Sequence, residues 1–269
     1  MDTALVENVV EHPENEKGRE EERIPEEGNL HTKGSCGYLM KFLSLFAGIG
    51  GFDLGFERSG MECVGQVEID RDCRRVLEKH WPDVKRVDDV RKVKGTEFGK
   101  VDLICGGYPC QPFSQAGRKS GFKDERHLWP EMARIISVAR PSWVVGENTI
   151  GHLRLGLDLV LSDLEKMGYT ARAFDIPAFC VGAPHKRSRC WVIACLDNGS
   201  GGRHLAQEEE ICPRWDSLID SSRWKSKPPV CRVADGVSPR LDKIRIKMLG
   251  NAVVPQIVER IGRAIRNVQ

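Results

Sequence analysis

The chain contains 269 residues, which is enough for one catalytic domain with a small appendage. Its 40% hydrophobic and 30% charged residues are ordinary for a globular protein, and the longest apolar stretch without a charge, residues 42–52, is too short to span a bilayer. Because no apolar leader opens the chain, we expect neither secretion nor membrane insertion. Ten cysteines without CxxC pairs favour a reducing, cytoplasmic location over a disulfide framework.

The net charge of +2 hides a strong asymmetry along the chain. Residues 1–30 contain ten acidic and three basic side chains, so this segment carries −7 and the rest of the chain carries +9. A body with that positive charge attracts polyanions such as nucleic acid, although lysines scattered over a solvated surface would give the same total. The acidic segment has few large apolar residues and no periodicity, so we predict a disordered arm over residues 1–37.

The elements that follow in chain order alternate between strands and helices. Short apolar runs typical of buried parallel strands occupy residues 39–46, 63–69, 101–105, 143–145, 169–176 and 191–195. Apolar residues with helical spacing occur within residues 52–56, 73–80, 132–139, 153–164 and 257–265. This alternation predicts an α/β fold, with a mostly parallel sheet that has helices on both faces.

The alternation stops between residues 197 and 240, where breakers rich in glycine and proline surround Trp215 and Trp224. We interpret this stretch as a separate small segment or a long functional insertion. Helical spacing returns after Pro255, which suits the first turn of a helix. The predicted organisation is a disordered acidic arm at 1–37, a catalytic domain at 38–196, a short variable segment at 197–240, and a C-terminal helix at 241–269 that completes the catalytic domain.

A glycine-rich turn follows the first predicted strand at residues 47–51. Glycines at such a turn let the backbone approach a ligand closely, and Glu68, at the end of the next strand, can accept hydrogen bonds from ribose hydroxyls. Asp53 stands where a dinucleotide-binding turn has its third glycine. The spacing therefore favours a nucleoside without a pyrophosphate, such as S-adenosylmethionine, over a dinucleotide, while a merely tight turn stays an alternative.

A second turn, residues 106–114, follows the predicted strand at 101–105 and places Cys110 between two prolines. The carboxyl ends of strands are where open α/β sheets bind their ligands, so this cysteine is positioned for chemistry. Cys63, Cys73 and Cys195 lie in apolar runs and are expected to be small core residues instead.

Seven short blocks stand in the order found in the DNA (cytosine-5) methyltransferase family, which the chain resembles over residues 39–195 and 244–267. The blocks are FAGIGG at 46–51, EID at 68–70, DDV at 88–90, GYPCQ at 107–111, ENT at 147–149, HKRSR at 185–189 and GNAV at 250–253. The resemblance implies an S-adenosylmethionine-dependent methyltransferase of Rossmann-like fold. Residues 197–240 then correspond to a small, shortened target-recognition segment, as in small phage or prophage members.

The resemblance implies transfer of a methyl group from S-adenosylmethionine to C5 of cytosine in double-stranded DNA, through a covalent adduct on a flipped-out base. By resemblance, Cys110 is the nucleophile that attacks C6. The resemblance also implies that Glu147 hydrogen-bonds to N3 and protonates it. It implies that Arg187 and Arg189 hold the O2 side of the base and the flanking phosphate, and that Asn148 orients Glu147 and the neighbouring loop.

The same resemblance assigns the cofactor contacts and a DNA-binding loop. The expected cofactor-binding residues are Phe46, Ala47, Gly48, Ile49, Gly50, Gly51, Glu68, Ile69, Asp89, Val90, Pro109, Asn251 and Val253. The segment 114–126 has two glycines and four cations, which suits a lid that closes over DNA, although a surface loop would look similar. The expected DNA-binding residues are Gln111, Ser114, Arg118, Lys119 and Arg126.

The chain departs from the family pattern at three positions, none of which is a catalytic group. His185 replaces the usual glutamine, Thr149 replaces the usual valine, and Ile69 stands where an aromatic residue often faces the adenine. We expect no metal site, because the cysteines and histidines of the variable region have no ligand spacing typical of zinc. These are Cys190, Cys195, His204, Cys212 and Cys231.

Two other functions stay open at this point. A minority branch of the family methylates tRNA cytosine and usually has a Cys-Phe-Thr signature in the recognition segment, which is missing here. A non-catalytic DNA-binding regulator would share the fold, but Cys110, Glu147 and Arg189 are all present. The expected partner is double-stranded DNA, and a functional pairing with a restriction endonuclease stays open. We expect the chain to be a monomer that does not associate with membranes.

Overall fold

The computed structural model describes residues 38–109, 128–154, 156–183, 185–197, 244 and 247–268. A boundary between two units falls between Gly37 and Tyr38, and every element below lies in the second unit. The predicted acidic arm, the whole of the predicted lid and all but the first residue of the variable segment lie outside the described residues. Those three interpretations stay predictions.

The described residues contain a seven-stranded sheet with the spatial order β3-β2-β1-β4-β5-β7-β6. The strands are β1 Lys41–Leu45, β2 Glu62–Val67, β3 Arg86–Val87, β4 Leu103–Gly106, β5 Trp143–Thr149, β6 Tyr169–Ile176 and β7 Arg189–Leu196. The strands β1 to β5 are mutually parallel, whereas β7 runs antiparallel to both β5 and β6. The prediction of a mostly parallel α/β sheet is confirmed.

In the described part of the chain, residues 247–251 are helical and five further α-helices connect or flank the strands. They are α1 Gly51–Arg58, α2 Arg71–His80, α3 Trp129–Ala139, α4 Leu157–Lys166 and α5 Pro255–Asn267. The Asp70 carboxylate caps α2 by accepting hydrogen bonds from the Asp72 and Cys73 N–H groups, and Pro255 begins α5, where a missing N–H costs nothing. None of these helices combines the length and apolar content that crossing a bilayer requires.

The two faces of the sheet bury different helices because side chains alternate along each strand. One core cluster joins Phe42 of β1 with α1 and α5, and the other joins the adjacent Leu43 with α3 and α4. The helices α1 and α5 cross so closely that a Cβ on Gly55 would lie 2.6 Å from the Pro255 carbonyl oxygen. This close packing of α1 against α5 places the C-terminal helix beside the turn that follows β1.

The sheet reverses its order between β1 and β4, since β1 leads outward to β2 and β4 leads to β5. A crevice opens at such a switch point, outside the carboxyl ends of the parallel strands. Both turns that the sequence singled out follow these two strands. The fold therefore places the glycine-rich turn and the segment leading into Cys110 at neighbouring positions.

Three elements differ from the sequence-based prediction. The two-residue strand β3 at the edge of the sheet was not predicted, because it is too short to give an apolar run. The strand β5 was expected at 143–145 but extends to Thr149, because it pairs along its whole length with β7. That extension makes Glu147 and Asn148 strand residues. The predicted helical run at 153–164 begins with a short 3-10 turn, Ile150–Leu153, and α4 itself starts at Leu157 after the left-handed Gly156.

Candidate active site

A cavity of about 440 Å³ lies at the switch point of the sheet. Its lining includes eight of the thirteen residues expected to bind the cofactor, together with four of the five expected catalytic residues. The eight are Phe46, Gly48, Glu68, Ile69, Asp89, Val90, Pro109 and Asn251, and the four are Glu147, Asn148, Arg187 and Arg189. We call this space the central cavity.

The carboxylate of Glu68 is fixed between the glycine-rich turn and the start of α2. Its Oε2 accepts a hydrogen bond from the Gly48 N–H at 2.7 Å, and its Oε1 accepts one from the Asp70 N–H at 2.8 Å. The Arg74 guanidinium donates to the carbonyls of Glu68 and Ile69, so the local backbone is held as well. Each carboxylate oxygen keeps acceptor capacity that ribose hydroxyls can use.

The glycine-rich turn has two structural roles. Gly48 has φ +58 and a Cβ placed on it would meet no atom within 4 Å, so this position faces open space beside the central cavity. Gly51 instead packs against the C-terminal segment, because a Cβ there would lie 2.7 Å from Val253 Cγ2. Gly50, with φ +87, leaves room for the Trp81 ring.

The other five expected cofactor residues do not line the central cavity. A neighbouring cavity of about 620 Å³ is lined by Ile49, Gly50, Gly51 and Val253. Ala47 is buried, and its N–H donates to the Val67 carbonyl at 3.0 Å. The structure thus brings the two ends of the glycine turn to different cavities.

Asp53, which occupies the place of a third glycine, is fully buried in the first turn of α1. Its carboxylate accepts hydrogen bonds from Ser44 Oγ at 3.0 Å and Gln66 Nε2 at 2.8 Å, which lie on β1 and β2. Burial raises the pKa of this carboxyl, and the hydrogen bonds oppose that change. Asp53 therefore joins the glycine turn to two strands.

Glu147 is the buried carboxyl group of the central cavity among its described lining residues. It is 9% exposed, and its Oε1 lies 3.0 Å from Arg189 Nε. Burial raises the pKa of Glu147 to about 7, and the positive charges of Arg189 and Arg187 lower this pKa by a smaller amount. A carboxyl with that pKa is protonated in a large fraction of molecules near neutral pH, so it can donate a proton to a bound base.

Asn148 contacts the turn that leads into Cys110. Its Nδ2 donates to the Tyr108 carbonyl at 2.9 Å, and its Oδ1 accepts from the Thr149 N–H at 2.9 Å. Gly107 lies directly under the carboxyl, because a Cβ there would sit 3.3 Å from Glu147 Oε2. The neighbouring strands β4 and β5 therefore hold Gly107 and Tyr108 beside Glu147 and Asn148.

Arg187 and Arg189 have different surroundings. Arg189 pairs with Glu147, while Arg187 donates to the carbonyls of Gly250 at 2.8 Å and Ala252 at 2.7 Å. Burial lowers the pKa of Arg187, and its backbone has φ 30, in the left-handed region that side chains rarely adopt. In this structure Arg187 secures the segment before α5, a role that the sequence did not indicate.

Lys247 is a further residue of the central cavity that sequence reasoning missed. Its Nζ lies 2.8 Å from Asp70 Oδ2, and this contact lowers the pKa of Asp70. Residues 247–251 are helical and form one wall of the cavity. The only available signal was a cation shortly before the GNAV block, which is too common to single out.

Several expected site residues cannot be placed. Cys110, the expected nucleophile, lies outside the described residues, as do the five expected DNA-binding residues Gln111, Ser114, Arg118, Lys119 and Arg126. Within the described ranges, no group of three or more His, Cys, Asp or Glu side chains is arranged to hold a metal ion.

Residues 40–215 of the chain match the family model of the C-5 cytosine-specific DNA methylases. Among similar proteins, the Type II methyltransferase M.DsaV of Dactylococcopsis salina is 37% identical over 167 residues, which is 60% of this chain and 47% of that protein. The Type II methyltransferase M.HhaI of Haemophilus parahaemolyticus is 34% identical over 164 residues, which is 59% of this chain and 50% of that protein.

The chain thus spans about half the length, or less, of these curated relatives. Among solved structures, an Escherichia coli prophage-encoded protein assigned as a DNA modification methyltransferase aligns with a TM-score of 0.55 at 24% identity, covering 65% of this chain and 51% of that one. A mutant of Spodoptera frugiperda DNMT2 aligns with a TM-score of 0.53 at 22% identity, covering 63% and 54%. These structural likenesses support the fold.

Proposed function

Because the chain belongs to the C-5 cytosine-specific DNA methylase family, we propose that it transfers a methyl group from S-adenosylmethionine to C5 of cytosine in double-stranded DNA. One observation carries this proposal: Glu147 is a buried carboxyl with a pKa near 7, on the strand beside the one that leads into Cys110. A proton donor and a cysteine thiolate are the pair of groups that activation of a cytosine ring requires.

The central cavity fits S-adenosylmethionine in its size and in its polar groups. Its volume of about 440 Å³ lies in the range of small-molecule sites. The fixed Glu68 carboxylate would accept hydrogen bonds from the ribose hydroxyls, and Ile69, which is 64% exposed, would offer an apolar surface to the adenine ring. Asp89, on the same wall, adds a carboxylate acceptor for an amino group. The bound cofactor supplies an electrophilic methyl group on a sulfonium.

The residues of the chain then activate the target base. The Cys110 thiolate would form a bond to C6 while the Glu147 carboxyl donates its proton to N3, so that negative charge does not build up in the ring. Addition at C6 makes C5 nucleophilic enough to take the methyl group. Water would then take the C5 proton, the cysteine would leave C6 as the thiolate, and the N3 proton would return to the Glu147 carboxylate, which restores the aromatic ring. Arg189 would hold Glu147 in place throughout, since the two side chains are 3.0 Å apart.

DNA binding is proposed on charge and on the resemblance. Residues 31–269 carry a net charge of +9, which attracts the phosphate backbone. The target cytosine would leave the helix to reach the cavity, and the cations at 118–126 together with the segment 197–240 would contact the duplex. We further propose that the chain is a monomer located in the cytoplasm. It would act beside a restriction endonuclease, a proposal that the similarity to Type II methyltransferases supports.

Methyl transfer to defined nucleic acids tests the proposed function. The chain is incubated with S-adenosylmethionine labelled in the methyl group and with either mixed-sequence duplex DNA or tRNA, and Cys110→Ser serves as the matched control. We expect label in DNA with the unaltered chain and none with the variant, because a hydroxyl is a far weaker nucleophile than a thiolate. Label in tRNA alone, or equal labelling by Cys110→Ser, would contradict the proposal.

A further inference from the structure

Tyr108 is the second residue before the proposed nucleophile, and its side chain is buried in the core with only 2% exposure. Its ring lies 5.1 Å from the ring of Trp129 and 5.4 Å from the ring of His152, measured between centroids. Its edge also covers Gly146 of β5, where a Cβ would lie 3.0 Å from Tyr108 Cε1. The residue that leads into Pro109 and Cys110 is therefore enclosed on three sides.

The two ends of Tyr108 are both attached to the segment that follows Glu147. At the side-chain end, Tyr108 Oη and His152 Nε2 form a hydrogen bond of 2.9 Å between two buried residues. At the backbone end, the Tyr108 carbonyl accepts from Asn148 Nδ2 at 2.9 Å. A residue held at its carbonyl and at its ring tip cannot rotate or slide without breaking one of these bonds.

The hydrogen bond between Tyr108 and His152 fixes an orientation of the Tyr108 side chain that ring packing alone would not fix. Phenylalanine at 108 and leucine at 152 would fill similar space without burying a hydroxyl and an imidazole, whose removal from water is costly unless they are paired. A hydrogen bond depends steeply on angle and distance, whereas apolar contacts tolerate sliding. The pair therefore specifies one orientation of the Tyr108 backbone relative to β5.

We propose that Tyr108 and His152 are positioning residues, whose hydrogen bond keeps the backbone entering Cys110 in register with the strand that carries Glu147. The inference rests on the proposed function, because it concerns the alignment of nucleophile and proton donor. Neither residue reacts with the base. Small displacements of reacting groups can lower rates by about a hundredfold, so loss of this hydrogen bond should slow chemistry and leave cofactor binding intact.

The test compares Tyr108→Phe, His152→Leu, His152→Gln and the double variant Tyr108→Phe/His152→Leu with the unaltered chain. Single-turnover methyl transfer to plasmid DNA is measured at saturating DNA and S-adenosylmethionine, and cofactor affinity is measured by calorimetry. Tyr169→Phe is the matched control, because it removes another buried tyrosine hydroxyl, which donates to the Pro141 carbonyl at 2.7 Å far from the cysteine turn.

We expect the transfer rate to fall about tenfold in Tyr108→Phe and in His152→Leu, with cofactor affinity changed less than twofold. The double variant should be no slower than the slower single variant, and His152→Gln, whose amide can still bond to Tyr108 Oη, should recover part of the rate. Tyr169→Phe should keep the full rate.

An unchanged rate in Tyr108→Phe would overturn the inference, as would a loss in Tyr169→Phe of the same size at the same melting temperature. If His152→Leu fails to fold, Tyr108→Phe and His152→Gln still decide the matter, since both keep the volume of the core. No methyl transfer by the unaltered chain would instead refute the proposed function, and the inference with it.

Discussion

Replacing Glu147 with glutamine should change how the stability of the protein depends on pH. Burial raises the pKa of this carboxyl from 4.5 to about 7 in the folded protein. The folded state therefore binds a proton more readily than the unfolded chain between these two values, so the free energy of unfolding falls as the pH rises through that window. The difference between these two pKa values corresponds to a change of roughly 3 kcal/mol in the free energy of unfolding. This value is an upper bound, because Arg189 can rearrange when the charge of Glu147 changes.

The assay is urea unfolding of the unaltered chain and of Glu147→Gln at about pH 5 and about pH 8. Glutamine has nearly the same shape and no charge, so the variant should lose this part of the pH dependence and gain stability relative to the unaltered chain at the higher pH. Glu62→Gln, which neutralises an exposed carboxylate at the start of β2, corrects for general charge effects.

Parallel pH profiles for the unaltered chain and Glu147→Gln would refute the reasoning. A larger stability of the unaltered chain at high pH would refute it more strongly, because the ion pair with Arg189 would then outweigh the cost of burying the Glu147 charge.

Further predictions concern the expected ribose contact at Glu68, the proton donor Glu147, the hydrogen bonds of Arg187, and the acidic segment at residues 1–30. Glu68→Ala should weaken S-adenosylmethionine binding by about 1 to 3 kcal/mol, because a charged acceptor for the ribose is lost, and an unchanged calorimetric affinity would place the ribose contact elsewhere. The rate of methyl transfer should fall as the pH rises through about 7, since only protonated Glu147 can donate, and Glu147→Gln should abolish transfer at every pH. Arg187→Ala should raise the KM for S-adenosylmethionine, because the segment at 250–252 loses two hydrogen bonds, and an unchanged KM would show that α5 holds it alone. Deletion of residues 1–30 should leave the activity intact, and a loss of cofactor binding would contradict the predicted disorder.

The alternation of strands and helices could be predicted because it depends on local patterns of apolar residues. The direction of β7 could not be predicted in that way. A buried strand shows the same continuous apolar run whether its neighbours are parallel or antiparallel, and only the pairing with β5 and β6 settles the direction. The length of β5 depends on the same pairing, so the strand position of Glu147 was not readable from its own segment.

The central cavity was largely predictable, because residues at the ends of adjacent parallel strands must meet at one edge of the sheet. The sequence did not predict that the two ends of the glycine-rich turn line two different cavities. Gly50 and Gly51 are required by Trp81 and Val253, which are close in space but distant in the sequence. The hydrogen bonds of Arg187 to the segment before α5 and the pair of Tyr108 with His152 are likewise contacts between distant segments, which no local pattern reveals.

The central claim is that the chain methylates C5 of cytosine in DNA through Cys110. Bisulfite sequencing of plasmid DNA from a host that expresses the chain tests it most directly, because C5 methylation protects cytosine from conversion and the reads also show the sequence context. The account predicts protected cytosines in one short recurring context with the unaltered chain, and complete conversion with Cys110→Ser. Complete conversion with both proteins, or protection that persists in Cys110→Ser, would contradict it.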